Sequence, residues 1–442
     1  MTPESYRNPA HQRRLIIPAL LAVWGLLFSV LLAVNLTASA QGGITTTPTP
    51  FGDDWYTQTT QWDLPYYLPG TSEGDATWTV SESEFESYYP NGFSFSTVAT
   101  SDKGEIVQAS VIWSHVPGKL TRRDAEIDTR TGYVSMRWRP DESLPPWVAV
   151  NFYWSFADSQ GNRYRTDWIL GNEYADSGDK WERIESDDVI VYIQSGLSEE
   201  ILDLTVAAVA EQHETFIAAW GEPLPYIPRV ILFSNQTDFQ RWRDAFGGSS
   251  VIGQTSDDWG ATVQVISDED SHRLAYGTVL HEIGHLYQFH MAPDAFPAGS
   301  WFTEGNATFF ELDQQYSYVR RVRNLARHDE LPILLEGDGP ISFETGPDGQ
   351  GRLGYDIGYT FFVWLTDTFG LEAHHQLIHE LAVGTPRNDA LQIVTGMSLV
   401  DMETAWRESF GADGPPPTLI PTQPYRFPPT VTPFQYSTST AQ

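Results

Sequence analysis

Residues 280–307 read LHEIGHLYQFHMAPDAFPAGSWFTEGNA. On a helix, positions i and i+4 share a face, so His281 and His285 direct their imidazoles at one point. Glu282, beside His281, can reach a water held at that point. Leu280, Ile283 and Leu286, with Leu274 and Val279 before them, give the helix a buried side. Met291–Ser300 holds two prolines and a glycine and predicts a reversing loop. A second, antiparallel helix would then bring Glu304, 19 residues after His285, back beside the histidines. A zinc site open to substrate takes three protein ligands plus water, so the third ligand decides the class. One option is a histidine six residues beyond His285, after a glycine at the third. Those places hold Met291 and Gln288, and His290 is off by one. The competing reading is a helix with two surface histidines and a solvated glutamate.

The composition narrows what this site can serve. The chain has 442 residues, enough for two or three domains at roughly 100–200 residues each. A hydrophobic content of 41% excludes a wholly disordered chain. With 26 Lys+Arg against 58 Asp+Glu the net charge is −32, which disfavours general nucleic-acid binding, where clustered Lys/Arg meet phosphates. There is no cysteine. That excludes disulfide scaffolds, thiolate-held zinc and thiol nucleophiles, so any metal must use His, Asp and Glu.

Outward from the motif, the chain divides into five parts. Residues 1–40 carry Arg7, Arg13 and Arg14, then an uncharged run of 20 residues from Leu15 to Val34. That run is just long enough for a hydrocarbon core of ~30 Å. Ala38-Ser39-Ala40 fits a small-x-small cleavage site. The expectation is a signal peptide or a single membrane anchor, with the rest exported, either extracellular or held at the cell surface. Residues 41–71 begin QGGITTTPTP and read as a linker, and the Pro/Thr-rich residues 414–442 as a disordered tail.

Over 72–180 the hydrophobic period is two: Val107, Ala109, Val111 and Trp113; Val134, Met136 and Trp138; Val148, Val150, Phe152, Trp154 and Phe156, before a turn at 158–162. This predicts an all-β sandwich of immunoglobulin-like type, its aromatics lining the core rather than binding a ligand. Over 181–413 the pattern is α+β. Asp188–Ile193 and Arg229–Phe233 read as strands and Asp238–Phe246 as a short helix. A longer helix is expected after Ser198 as N-cap, with Leu202, Val206, Val209, Phe216 and Trp220 on one stripe. His213, on the same stripe, reads as a packed core histidine.

HEIGH, then 18 residues, then Glu304 within WFTEGNA resembles the gluzincin zinc peptidases, the peptidase MA-like group with thermolysin-like and aminopeptidase branches. The resemblance covers roughly 185–412. It implies Zn2+ held by His281, His285 and Glu304, with Glu282 as general base on a water whose pKa the metal lowers. It also implies an oxyanion-stabilising tyrosine from a later helix. Tyr355-Asp356-Ile357-Gly358 matches the aminopeptidases' Tyr-x-x-Gly, 51 residues beyond Glu304, an interval shorter than theirs. Tyr359, one turn on, competes, and aromatic packing along Tyr355, Tyr359 and Phe362 is the other reading. Aminopeptidases also carry a Gly-x-Met-Glu-Asn strand whose glutamate binds the substrate's free amine. The nearest stretch here, Gly260-Ala261-Thr262-Val263-Gln264, has Val263 in that place. It is expected to be an edge strand that pairs with substrate backbone without holding an ammonium, which favours an endopeptidase or a narrow-specificity peptidase. Glu311, seven residues after Glu304 on the same helical face, either orients a ligand histidine or is a surface charge.

The expected protein is therefore multidomain: an N-terminal all-β immunoglobulin-like sandwich, then an α+β gluzincin-type zinc peptidase domain. Its expected partner is a peptide or protein substrate. The alternatives are an inactive surface binding protein that retains a peptidase fold and a zinc hydrolase of non-peptide bonds.

Overall fold

A computed structural model describes residues 69–116, 119–140, 144–241, 253–266, 270–314 and 317–413. The expected signal or anchor, most of the linker and the tail lie outside the described residues. Among the described residues no helix is long and apolar enough to cross a membrane.

The period-two region forms two antiparallel sheets around one core. In the first, Thr71–Glu73, Arg163–Arg165, Ala149–Asp158, Ile106–Val116 and Lys119–Asp124 lie side by side, and Ile169–Glu173 also pairs with Ala149–Asp158. In the second the order is Trp78–Val80, Phe93–Ser101, Tyr133–Trp138 and Glu126–Asp128, with Glu84–Ser87 on Phe93–Ser101. Val148, Val150, Phe152, Trp154 and Phe156 are all fully buried, each such side chain contributing roughly 1.5–3 kcal/mol. The Asp158 carboxylate accepts from the backbone N–H of Gln160 and of Asn162, both at 2.9 Å, which fixes the turn.

One expected core position is wrong. Val107 is 62% exposed. A bulge between Ile106 and Gln108 adds one residue to that strand. An extra residue inverts the side-chain alternation, so Ile106 faces inward and Val107 outward.

The second region is built on a mixed sheet in the order Trp181–Glu185, Ile190–Gln194, Arg229–Phe233, Ala261–Val265, Gly253–Ser256. The three central strands are parallel and the two outer ones antiparallel. Helix Glu200–Trp220 connects the first two parallel strands. One sheet face, through Val191, Ile193, Val230 and Leu232, packs into the helical core. The other face, through Tyr192, Ile231, Phe233 and Val263, meets Tyr89 and Trp147 of the sandwich. Trp147 stacks on Tyr192 with ring centroids 5.0 Å apart. The sheet is thus covered on both sides, as its unbroken apolar strand Ile190–Ile193 requires.

Several local expectations change. Ala261–Val265 is an interior strand, and the edge is Gly253–Ser256. Val263 lies fully buried on the sandwich side of the sheet, away from the helical core. The long helix starts at Glu200, with Glu199 already helical, and the Ser198 hydroxyl accepts weakly from the Glu200 N–H at 3.4 Å. His213 is not a core residue: its side chain is 39% exposed and it pairs with Asp188 at 2.7 Å. The short helix spans Gln236–Arg241, and residues 242–252 lie outside the described residues.

Candidate metal centre

The motif residues lie on helix Leu280–Met291, entered through a π-helical turn at Leu274–Val279. The Tyr276 carbonyl in that turn accepts from the backbone N–H of Leu312 at 2.7 Å and of Asp313 at 3.0 Å. A π-turn of this kind releases carbonyls from the regular helical ladder. Here the released group anchors the chain directly after Glu311.

Glu304 lies on helix Trp301–Phe309, whose N-terminus is capped by the Ser300 hydroxyl accepting from the Thr303 N–H at 3.1 Å. Tyr355 is in the first turn of helix Leu353–Phe369. These two helices touch through glycines. A Cβ on Gly305 would come within 2.3 Å of Gly358, and one on Gly358 within 2.2 Å of the Trp301 carbonyl. The glycine of Tyr-x-x-Gly is therefore what lets Tyr355 approach the metal donors.

His281, His285 and Glu304 converge, all three buried. Each histidine Nε2 lies 3.4 Å from Glu304 Oε2. Donors bound at 2.0–2.1 Å to a tetrahedral ion are about 3.3 Å apart, so this spacing fits zinc. Glu304 Oε2 is buried without a hydrogen-bond partner, and a cation between the donors would coordinate it instead. Burial disfavours a charged His281, but the facing Glu304 and Glu311 carboxylates outweigh it and raise its pKa to about 10. Burial likewise opposes ionisation of Glu304, but the His285 and His281 imidazoles hold it well below the usual carboxylate range. Both shifts have one cause, the mutual attraction of the carboxylates and a protonated imidazole.

The outward nitrogens are also held. His281 Nδ1 lies 3.1 Å from Glu311 Oε1 and 3.3 Å from Thr308 Oγ1, and Glu311 Oε2 accepts from the Tyr318 hydroxyl at 3.0 Å. Glu311 is beyond the end of its helix rather than on it, and of the two readings it is the orienting one that the geometry fits. His285 Nδ1 lies 2.8 Å from Gln288 Oε1.

Glu282 is 2% exposed. Its Oε2 accepts from the Thr255 hydroxyl on the edge strand. Thr255 Oγ1 is 2.9 Å from Thr262 Oγ1, so its own proton goes to the glutamate and Thr262 donates in turn. Glu282 Oε1 has no partner. Thr255, Gln288 and Thr308 contribute to the site without a sequence motif that marks them. Only a strand-to-helix pairing, which carries no local motif, would have pointed to Thr255.

Tyr355 is 1% exposed, and its ring centroid is 6.0 Å from that of His281. Its hydroxyl has no hydrogen-bond partner. Burial and then the Glu304 charge push its pKa well above the ordinary value, so it keeps its proton. The Arg352 guanidinium sits 4.1 Å over the ring. Tyr359 packs instead against Tyr318, at 5.2 Å. Arg321 ties the loop before Tyr355 to its helix through Asp348, Asp356 and the carbonyls of Gln350 and Gly351.

No protein-family model matches the chain, and no curated protein matches it. Among solved structures it is similar to a two-domain M1 zinc metallopeptidase bound to L-arginine, at 14% identity and a TM-score of 0.33, covering 77% of this chain and 96% of that one. Native yeast LTA4 hydrolase follows at 10% identity and a TM-score of 0.31, covering 76% of this chain and 66% of that one. Aminopeptidase A of Legionella pneumophila, in complex with aspartic acid, has 8% identity and a TM-score of 0.32, covering 78% and 51%. Likenesses at this level leave the meaning of the site to its own geometry.

Proposed function

We propose that this protein is an exported zinc-dependent peptidase. The observation that carries the reading is one buried cluster: three convergent metal donors, a carboxylate with one oxygen unpartnered, and a protonated tyrosine beside them. An inactive binding module has no need of Glu282 held by Thr255 with its second oxygen left over. Export is supported by Arg7, Arg13 and Arg14 followed by the uncharged run Leu15–Val34.

Zinc held by His281, His285 and Glu304 would supply Lewis acidity and lower the pKa of a bound water. Glu282 Oε1 is the proton acceptor and afterwards the donor to the leaving amine. Thr255, bonded to the other oxygen, fixes the direction in which that proton moves. The Tyr355 hydroxyl donates to the oxyanion as its charge develops.

A peptide is favoured over a small ester by the edge strand Gly253–Ser256. Its outer side has no strand partner among the described residues, and an extended substrate can pair there. An endopeptidase or narrow-specificity enzyme is favoured over an aminopeptidase by that same strand, Gly-Gln-Thr-Ser, which carries no carboxylate for an α-ammonium.

The test is cleavage of a mixed peptide library by the exported region, read by mass spectrometry. Glu282→Gln should keep zinc and lose ~10²–10⁴-fold in rate, the size of a general-base effect. Full activity in that variant would sink the mechanism. Rapid trimming of unblocked dipeptide amides, with blocked peptides untouched, would reverse the endopeptidase preference.

A further inference from the structure

His285 is the start of a chain of polar side chains that runs away from the metal donors through the core. Its Nδ1 lies 2.8 Å from Gln288 Oε1. Gln288 Nε2 donates to the Thr303 carbonyl at 2.8 Å and to Asn306 Oδ1 at 3.0 Å. Asn306 Nδ2 is 2.8 Å from His374 Nε2, and His374 Nδ1 is 2.8 Å from the Ala219 carbonyl. Gln288, Asn306 and His374 are all completely buried.

The direction of every bond follows from the two carbonyls. Ala219 lies in the last turn of helix Glu200–Trp220, where carbonyls lack intrahelical partners. A carbonyl only accepts, so His374 Nδ1 carries a proton. Burial lowers the His374 pKa to about 4, so the ring is neutral and its Nε2 is an acceptor. Asn306 must then turn its NH2 to His374 and its oxygen to Gln288. The Thr303 carbonyl makes the same demand on Gln288 from another side. Gln288 is left with only its oxygen for His285, so His285 carries its proton on Nδ1. His285 Nε2 is left as the nitrogen that faces Glu304, at 3.4 Å.

We infer that Gln288, Asn306 and His374 form a positioning relay by which two backbone carbonyls dictate the tautomer of His285 without adding charge. This rests on the metal-centre reading for its purpose, but the direction of the relay can be checked without it.

The relay makes an expectation opposite to the usual rule. A carboxylate behind a ligand histidine ordinarily strengthens metal binding. Here Gln288→Glu would set an acceptor against the Thr303 carbonyl and Asn306 Oδ1. Relief would need Asn306 to flip and His374 to become charged in a site where burial opposes it.

The experiment uses the full chain and reads zinc affinity by chelator competition. Gln288→Leu and Gln288→Glu should each weaken zinc by about 10–100-fold, the usual effect of losing such a partner. A merely structural role would lower the melting temperature and leave zinc affinity unchanged, and that result would overturn the inference. So would tighter zinc binding by Gln288→Glu. Because a core variant can fail to fold, the unmodified protein provides a second arm. Long-range proton–nitrogen correlation on 15N-histidine-labelled protein should find His374 as the neutral Nδ1–H tautomer, and an Nε2–H or doubly protonated His374 overturns the relay. If the protein binds no zinc while His374 has the expected tautomer, the metal reading fails and the relay's direction stands.

Discussion

The two histidines of the candidate metal centre and the proposed general base sit on one helix, with Glu304 on the next, yet different regions of the molecule hold them. His281, His285 and Glu304 are fixed by neighbours from the helical core: Glu311, Thr308, Gln288 and the glycine contact between Gly305 and Gly358. Glu282 is fixed from the sheet, by Thr255 at its edge. The hairpin carrying Thr255 turns at Asp257–Gly260, and that turn reaches the sandwich. Trp259 packs against the sandwich core, and Lys119 pairs with Asp258 at 2.6 Å. Under the proposed function the helical core would govern metal retention, while proton transfer would depend on a strand that the sandwich touches. The two should separate experimentally. The largest effect is on the donor side: His281→Ala, or chelation of the parent protein, should abolish peptide cleavage. Zinc should restore the chelated parent and not the variant, and metal analysis checks both.

Glu311 sharpens the donor half. Its carboxylate backs His281, whereas a neutral amide backs His285. Glu311→Gln should weaken zinc by ~10–100-fold in chelator competition, with cleavage recovering at saturating zinc. A loss of rate that saturating zinc does not repair would mean that Glu311 acts on the chemistry, and the separation of the two regions would fail.

The same division explains what could be read in advance. His281, Glu282, His285 and Glu304 were legible because helix periodicity and one reversing loop, all within residues 280–307, bring them together. The sandwich core was legible from strict alternation, except at Val107, where a bulge shifted the phase and left no mark in composition. Thr255 was not legible. Its role depends on which strand ends up at the sheet edge, a property of strand order that the residues 260–264 do not encode locally. His213 was misjudged because a helical stripe widens toward its margin, where Asp188 could pair with it.

On the base side, Thr255→Val should leave zinc affinity unchanged and lower kcat by about tenfold. A hydrogen bond to a charged group contributes roughly 1.5–3 kcal/mol, and only part of that would appear in the barrier. Thr255→Ser keeps the hydroxyl and should recover most of the rate. If valine and serine behaved alike, the strand would matter for shape alone.

The smallest effect separates two ways in which the sandwich could hold the hairpin. Lys119 and Asp258 are mostly exposed, with 68% and 58% of their side chains accessible. Exposed pairs of this kind contribute ~0–1 kcal/mol and are screened by salt. Trp259, by contrast, removes apolar surface from water against two cores at once, the sandwich core and the one beneath the mixed sheet. Burial of that kind is insensitive to salt and larger than the ion pair. Lys119→Ala should therefore change kcat by less than about twofold, at low salt and high salt alike. A clear loss at low salt that vanished at high salt would move the anchorage of the base's strand from the tryptophan to the ion pair. Proton transfer would then depend on ionic strength.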